Sequence, residues 1–247
     1  MKTAKVLAFY FGDRRHYPNN KQGTIELLKR QILNHQTIDP GVEQDLIIVN
    51  HDKGEEDIKT LLDEYNGQEV FNGKIKIIHR PRINSDLSFG SYKYAFHLLQ
   101  NEYDYFFFCE DDIEVLKKDV TKKMINILDK NKKIGFVAAL DFIKQNYHTF
   151  KLEKGYIIKT GNLEPHAHGG VGLTSTVKMK QVADTIPSYL SIPNILNLSQ
   201  TYIDEEGYSG ENEYEINFTN DFIKAGFKIK PLPVEDNFLH IRENIIL

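Results

Sequence analysis

The sequence predicts one α/β domain with a mostly parallel central sheet that is flanked by helices. Short apolar runs recur along the first part of the chain, and they suit central strands because a parallel sheet is buried on both faces. The segments between these runs have helical spacing, so strands alternate with helices in βαβ units. A chain of 247 residues is long enough for one large domain of this kind. The apolar runs lie at residues 6–11, 45–50, 75–78, 105–109 and 135–140.

Four helices are predicted between these strands because apolar residues recur three and four positions apart. The four sets are Ile25, Leu28 and Ile32; Ile58, Leu61 and Leu62; Tyr92, Phe96 and Leu99; and Val120, Met124, Ile127 and Leu128.

The pattern changes after Leu140, where the sequence predicts short strands at residues 156–159 and 227–230. A helix is predicted over residues 213–225, and it ends at Gly226 because glycine adopts the left-handed conformation of a helix C′ position. We expect all of residues 1–247 to form a single domain.

Composition excludes several classes of protein. A net charge of −4 disfavours a protein that binds a nucleic-acid backbone, since such proteins carry a strongly basic face. The single cysteine, Cys109, permits no intramolecular disulfide and no cysteine-rich metal site, and its apolar surroundings predict a buried, inert thiol. The sequence has neither a signal-peptide pattern nor a membrane span, so we expect a cytoplasmic protein.

An acidic triplet, Glu110, Asp111 and Asp112, follows directly on the fourth apolar run. Ligands of open α/β sheets bind at the carboxyl ends of strands, so these carboxylates are candidates for chemistry. Grouped carboxylates can hold a hard divalent cation, which would neutralise a departing diphosphate. The alternative interpretation is that Asp112 caps a following helix, with the other two acids favoured by the helix dipole.

With this triplet, the N-terminal strand and a second strand that ends at Asp52, the chain resembles GT-A-fold glycosyltransferases, and among them the family-2-like group. The family's Asp-x-Asp motif corresponds to Glu110-x-Asp112, with Asp111 between them in the donor site. The resemblance implies a GT-A-type domain whose residues 1–112 bind a nucleotide sugar and whose residues 113–247 form an acceptor-side half and C-terminal tail. It also implies a hexosyl- or pentosyltransferase that uses a nucleotide-diphosphate sugar.

The resemblance also assigns a donor site. Tyr10 and Asp52 would hold the nucleotide base. Arg82, or else Arg80, would neutralise phosphate, and Gly90 would let the backbone approach the ligand. Gly169 and Gly170 would form one wall of the sugar or acceptor pocket, because glycines permit close approach. Each assignment has a structural alternative that stays open. Asp52 could be a turn residue, Arg82 could belong to an exposed loop, and the two glycines could form a simple turn.

The general base of an inverting member would lie at the start of the predicted helix. Counting back from Gly226 favours Glu215, whereas a shift of one turn favours Glu211, and Glu213 lies between them. The alternative interpretation is that these acids are simply favoured by the helix dipole. If no acid lies close to the acceptor, a retaining mechanism is the better expectation.

His240 follows the last predicted strand, where GT-A enzymes often supply a late histidine as a metal ligand. With Glu110 and Asp112 it would form a site that favours Mn²⁺ over Mg²⁺, since imidazole suits transition metals. A lone histidine in an apolar stretch is otherwise a packed residue. The sequence leaves the acceptor open among a glycan, a lipid-linked sugar, a protein and a nucleobase. Two further functions remain as alternatives, an inactive nucleotide-sugar-binding module and a sugar nucleotidyltransferase.

Overall fold

The computed structural model describes residues 1–9, 21–51, 56–80, 87–139, 170–186, 218, 221–232 and 238–240. In this part of the chain an eight-stranded mixed sheet has the order β3-β4-β2-β1-β5-β8-β7-β9, and a separate ribbon pairs β10 with β6. The strands are β1 (Thr3–Phe9), β2 (Gln44–His51), β3 (Glu69–Val70), β4 (Gly73–Arg80), β5 (Tyr105–Glu110), β6 (Ile113–Val115), β7 (Ile134–Ala138), β8 (Gly172–Ser175), β9 (Lys228–Pro231) and β10 (Phe238–His240).

Most neighbouring strands of the large sheet are parallel. The exceptions are β3, which pairs antiparallel with β4, and β8, which pairs antiparallel with both β5 and β7. The carboxyl ends of β1, β2, β4, β5, β7 and β9 therefore meet at one edge of the sheet, together with the amino end of β8.

Five helices with described bounds cover the two faces of this sheet, and residues 221–224, inside the helix predicted over residues 213–225, are helical as well. The five are α1 (Lys21–Thr37), α2 (Glu56–Tyr65), α3 (Leu87–Leu99), α4 (Val120–Lys130) and α5 (Thr176–Thr185). Apolar residues of α1, α2 and α4 pack on one face, and those of α3 and α5 pack on the other. Both faces are covered, which explains why the central strands read as continuous apolar runs. None of these helices is long and apolar enough to cross a membrane.

The two faces have different cores. The face under α1, α2 and α4 is largely aliphatic, with Leu28, Ile32, Ile58 and Leu62 among its buried residues. The opposite face is aromatic, and most of its ring pairs are edge-on or tilted, a geometry that aromatic pairs prefer. Its buried aromatic residues are Phe89, Tyr92, Phe96, Tyr103, Phe106, Phe108, Phe136, Phe218, Phe222 and Phe227.

The predicted fold class is confirmed, as one mixed α/β sheet flanked by helices. Each of the five apolar runs forms a strand, the four predicted helices are present, and Gly226 has the expected left-handed backbone at φ +86°. The sequence did not predict β3, β6, β8, β10 or α5. The first four are too short to show a period, and α5 has only a weakly apolar face. The predicted strand at residues 156–159 lies outside the described residues, and the domain boundaries stay predictions.

Candidate active site

The acidic triplet lies at the point where the strand order reverses. From β1, the strands β2 and β4 extend to one side, whereas β5 lies on the other. Glu110 ends β5 and pairs in register with Ala8, near the end of β1. Ligands of open α/β sheets bind in the crevice outside the carboxyl ends of the strands at such a reversal. The topology therefore puts Glu110 at the edge position where an α/β fold builds its ligand site.

Two other predicted site residues come to the same edge. The antiparallel register of β5 and β8 pairs Phe108 with Gly172, so Gly170 lies beside the carboxyl end of β5. The backbone of His240 pairs with that of Ile113, the residue after Asp112. Residues far apart in sequence thus meet at the acidic triplet.

The helix-cap interpretation of Asp112 is wrong. The chain continues from Asp112 into β6, and the next helix, α4, begins only at Val120. The N-cap residue of that helix is Asp119, which has a left-handed backbone and makes no capping hydrogen bond through its side chain. The triplet therefore does not owe its position to a helix N-terminus.

The three acids differ in their exposure. Asp111 is buried, with 3% of its surface exposed, whereas Glu110 and Asp112 are both half-buried. Glu110 and Asp112 are accordingly the members of the triplet that a ligand reaches more easily. They are also the two residues that correspond to the ends of the Asp-x-Asp pattern.

Side chains of α1 hold the backbone that follows the triplet. The buried Gln31 Nε2 donates to two carbonyl oxygens, Asp111 O at 3.0 Å and Ile113 O at 2.9 Å. One helical turn later, Asn34 Nδ2 donates to Val115 O at 2.8 Å. These bonds satisfy buried carbonyls at a chain reversal and fix the path of residues 110–115, which we call the acidic segment.

An ion pair joins the same helix to the acidic segment. Arg30 binds Glu114 through both carboxylate oxygens, with Nη2 at 2.8 Å from Oε2. Glu114 is 7% exposed. The hydrogen bond that Arg30 donates to this carboxylate raises the pKa of Arg30. The two-pronged geometry adds orientation to charge attraction, so the pair also fixes the direction in which α1 meets β6.

On the other face of the sheet, α3 holds a side chain of the triplet. Ser88, in the first turn of α3, donates from Oγ to Glu110 Oε1 at 2.7 Å. Tyr92, one turn further on, is fully buried and hydrogen-bonded to Ser88. Burial first, and then the negative charge of Glu110, raises the pKa of Tyr92 well above its ordinary value, so its phenol stays protonated.

Sequence reasoning did not find these supporting residues. Gln31 lies between the apolar residues Leu28 and Ile32 on the buried side of α1, and a polar residue in that position is the only signal that the sequence offers. Ser88 is an ordinary residue for the start of a helix, so nothing distinguishes it before the fold is known.

Cys109 is a buried thiol, as predicted. Its Sγ lies 3.4 Å from the carbonyl oxygens of Glu110 and Ile113. Burial raises its pKa to about 12, so the thiolate is not formed near neutral pH. The thiol therefore has a packing role beneath the acidic segment.

The backbone at position 170 requires glycine. Its φ is +65°, and an added Cβ would lie 2.6 Å from Phe89 Cε1. The chain therefore enters β8 in close contact with the aromatic core. Gly90, in the first turn of α3, is also buried. The roles of both glycines toward a ligand stay predictions.

The remaining predicted site residues lie outside the described part of the chain, namely Tyr10, Asp52, Arg82, Gly169, Glu211, Glu213 and Glu215. Among the described side chains, no group of three His, Cys, Asp or Glu residues is arranged to hold a metal ion. Glu110 and Asp112 fit a hard cation as two oxygen donors, because carboxylates are the ligands that such cations prefer. A complete site needs at least one further ligand, and only the backbone of His240 is described at this place.

No known protein-family profile matches the chain, and no curated protein sequence matches it either. Among solved structures, the chain is similar to apo mouse xyloside xylosyltransferase 1, with 13% identity and a TM-score of 0.49, over 94% of this chain and 85% of that one. It is also similar to residues 1–349 of S. aureus TarS, with 12% identity and a TM-score of 0.45, over 98% of this chain and 60% of that one. At these values the likenesses assign neither a family nor a reaction.

Proposed function

We propose that this protein is a metal-dependent glycosyltransferase that moves a sugar from a nucleotide-diphosphate sugar to an acceptor with inversion. The observation that supports the proposal most is the place of Glu110 and Asp112. They lie where the strand order reverses, at the carboxyl edge of the sheet, and no helix begins there to account for them. Clefts at this position of an α/β sheet bind nucleotides across the strand ends.

In the proposed site, Glu110, Asp112 and His240 would hold Mn²⁺ or Mg²⁺, with Asp111 beside them. When bound, the cation supplies charge neutralisation for the diphosphate that leaves. Glu110 and Asp112 contribute anionic oxygens held at the sheet edge. Asp111, with 3% of its surface exposed, contributes through its backbone position, which Gln31 fixes.

The proposed donor site extends from this edge through residues that the resemblance assigns. Tyr10 and Asp52 would contact the nucleotide base, Arg82 the phosphates, and the backbone at Gly90, Gly169 and Gly170 the sugar. Glu215, or else Glu211 or Glu213, would accept the proton of the acceptor hydroxyl as its oxygen attacks the anomeric carbon.

An inactive nucleotide-sugar-binding module is the second candidate function. It is favoured by Tyr214 and Asn217, which replace acids of the family pattern beside Glu215. Slow hydrolysis of the donor without an acceptor separates the two functions. A transferase site leaks some sugar to water, whereas a binding module does not.

The proposal is tested by thermal unfolding of the full chain with a panel of nucleoside diphosphates and their sugars, each with and without Mn²⁺. A ligand that binds the native state raises the melting temperature by mass action. We expect a rise that depends on Mn²⁺ and is confined to one nucleotide base, which would also identify the donor. A panel without any rise, in either condition, would overturn the proposed function.

A further inference from the structure

We propose that Ser88, supported by Tyr92, is a positioning residue that fixes the carboxylate of Glu110 for cation binding. This inference rests on the proposed function and adds to it a regulator of cation affinity that does not itself contact the cation. It concerns α3, on the opposite face of the sheet from the helix that holds the backbone of the acidic segment.

The hydrogen bonds have only one consistent direction. An ionised carboxylate accepts and cannot donate, so the single proton of Ser88 Oγ is directed to Glu110 Oε1, 2.7 Å away. Tyr92 is hydrogen-bonded to Ser88. Because the only proton of Ser88 Oγ is directed to Glu110, the phenol of Tyr92 must be the donor in its bond with Ser88 Oγ. Tyr92, Ser88 and Glu110 therefore form a chain of two donations that ends on the carboxylate.

The far end of this chain is rigid. Tyr92 is 0% exposed, and its ring packs against Phe89, Phe108 and Phe218 with centroid distances of 5.9, 4.9 and 6.1 Å. A phenol enclosed by three rings cannot change rotamer without disturbing the core. It fixes the rotation of the Ser88 hydroxyl, which a serine alone would leave mobile.

The position of Ser88 in its helix adds an electrostatic contribution. Ser88 is in the first turn of the 13-residue helix α3, where the helix dipole favours negative charge. The bond to Glu110 is charge-assisted and stronger than a bond between neutral groups. Both effects orient the carboxylate of Glu110. Hydrogen bonds of this kind to a ligating group typically change metal affinity by about 10- to 100-fold.

The test is a titration of the full chain with Mn²⁺, in which free Mn²⁺ is measured by electron paramagnetic resonance. Ser88→Ala removes the donor, Ser88→Thr restores a hydroxyl, and Tyr92→Phe removes only the phenol oxygen. Ser91→Ala is the matched control, because Ser91 is a buried serine of the same helix. We expect about 10-fold weaker Mn²⁺ binding for Ser88→Ala and about 3-fold for Tyr92→Phe, with the other two variants within about 2-fold of wild type.

Unchanged Mn²⁺ affinity in Ser88→Ala would overturn the inference, and so would an equal loss in Ser91→Ala. If Ser88→Ala does not fold, Tyr92→Phe decides, because it keeps the packed ring. The wild-type titration examines the proposed function separately. A wild-type chain that binds no Mn²⁺ would overturn both proposals, whereas a wild type that binds and a Ser88→Ala variant that binds equally well would overturn only the inference.

Discussion

Two helices on opposite faces of the sheet hold the acidic segment, but they hold different parts of it. Helix α1 contacts the backbone, through Gln31 and Asn34, and pairs with Glu114 through Arg30. Helix α3 contacts the side chain of Glu110 through Ser88.

The two helices therefore have different roles, one in the stability of the fold and the other in the orientation of a ligand-binding side chain. Backbone carbonyls that lose buried donors cost folding free energy, because each is left desolvated and unpaired. Loss of a hydrogen bond to one half-buried carboxylate lowers the stability of the fold little, but it changes how that carboxylate is oriented toward a ligand. We therefore expect changes in α1 to lower stability, and changes in α3 to lower cation affinity.

The largest effect should come from Asp112, a half-buried carboxylate whose two flanking backbone carbonyls accept hydrogen bonds from Gln31. Asp112→Asn keeps the size of the side chain but removes its charge, and we expect donor turnover to fall by at least about 100-fold with an unchanged melting temperature. The measurement is sugar release from the donor that the thermal panel identifies. Asp184→Asn, in an exposed position of α5, is the control and should keep full activity. Full activity in Asp112→Asn would remove the metal site from the proposal.

The sequence was sufficient to predict the apolar central strands and the position of the triplet, but it did not predict the short strands or the side chains that support the triplet. Continuous apolar runs identify buried strands, and the triplet directly after one of them must lie at a strand end. The segment after Asp112 was ambiguous because Ile113, Glu114 and Val115 alternate over only three residues, which are too few to distinguish a strand from a path into a helix.

Contacts between distant residues leave no local pattern. Gln31 and Asp111 are far apart in sequence, and Ser88 and Glu110 belong to different elements, so neither pair can be read from periodicity. Propensity treats Gln31 as a neutral helix residue and Ser88 as a helix-start residue. Only the fold shows that both side chains point at the acidic segment.

The second largest effect concerns Gln31, the residue of α1 that binds the backbone of the acidic segment. Gln31→Leu keeps the bulk but removes the donor to Asp111 O and Ile113 O, and we expect about 2 kcal/mol lower free energy of unfolding. Denaturant unfolding measures the change. Gln68→Leu is the control, since Gln68 is exposed and should change stability by less than about 0.5 kcal/mol. Equal stability of the two variants would show that α1 does not hold the segment as its hydrogen bonds indicate.

The smallest effect concerns Lys5, a charged residue inside the α1 face of the core. Lys5 is 0% exposed, and no hydrogen-bond acceptor contacts its Nζ among the described residues, although the Phe107 ring lies 5.6 Å away. Burial lowers the pKa of Lys5, while Cys109 and Glu114 oppose that shift. Lys5→Met should therefore raise the free energy of unfolding by about 1 kcal/mol at neutral pH.

The stability gained by Lys5→Met should depend on pH. The unfolded chain binds a proton on Lys5 up to its ordinary pKa of 10.5, whereas the folded chain releases it at lower pH. The stability cost of Lys5 is thus greatest below the folded pKa and disappears as pH rises toward 10.5, so the advantage of Lys5→Met should shrink over that range. Lys228→Met, on an exposed strand position, should show neither effect. A loss of stability in Lys5→Met would instead mean that its charge stabilises Glu114, and that α1 and β1 hold the acidic segment together.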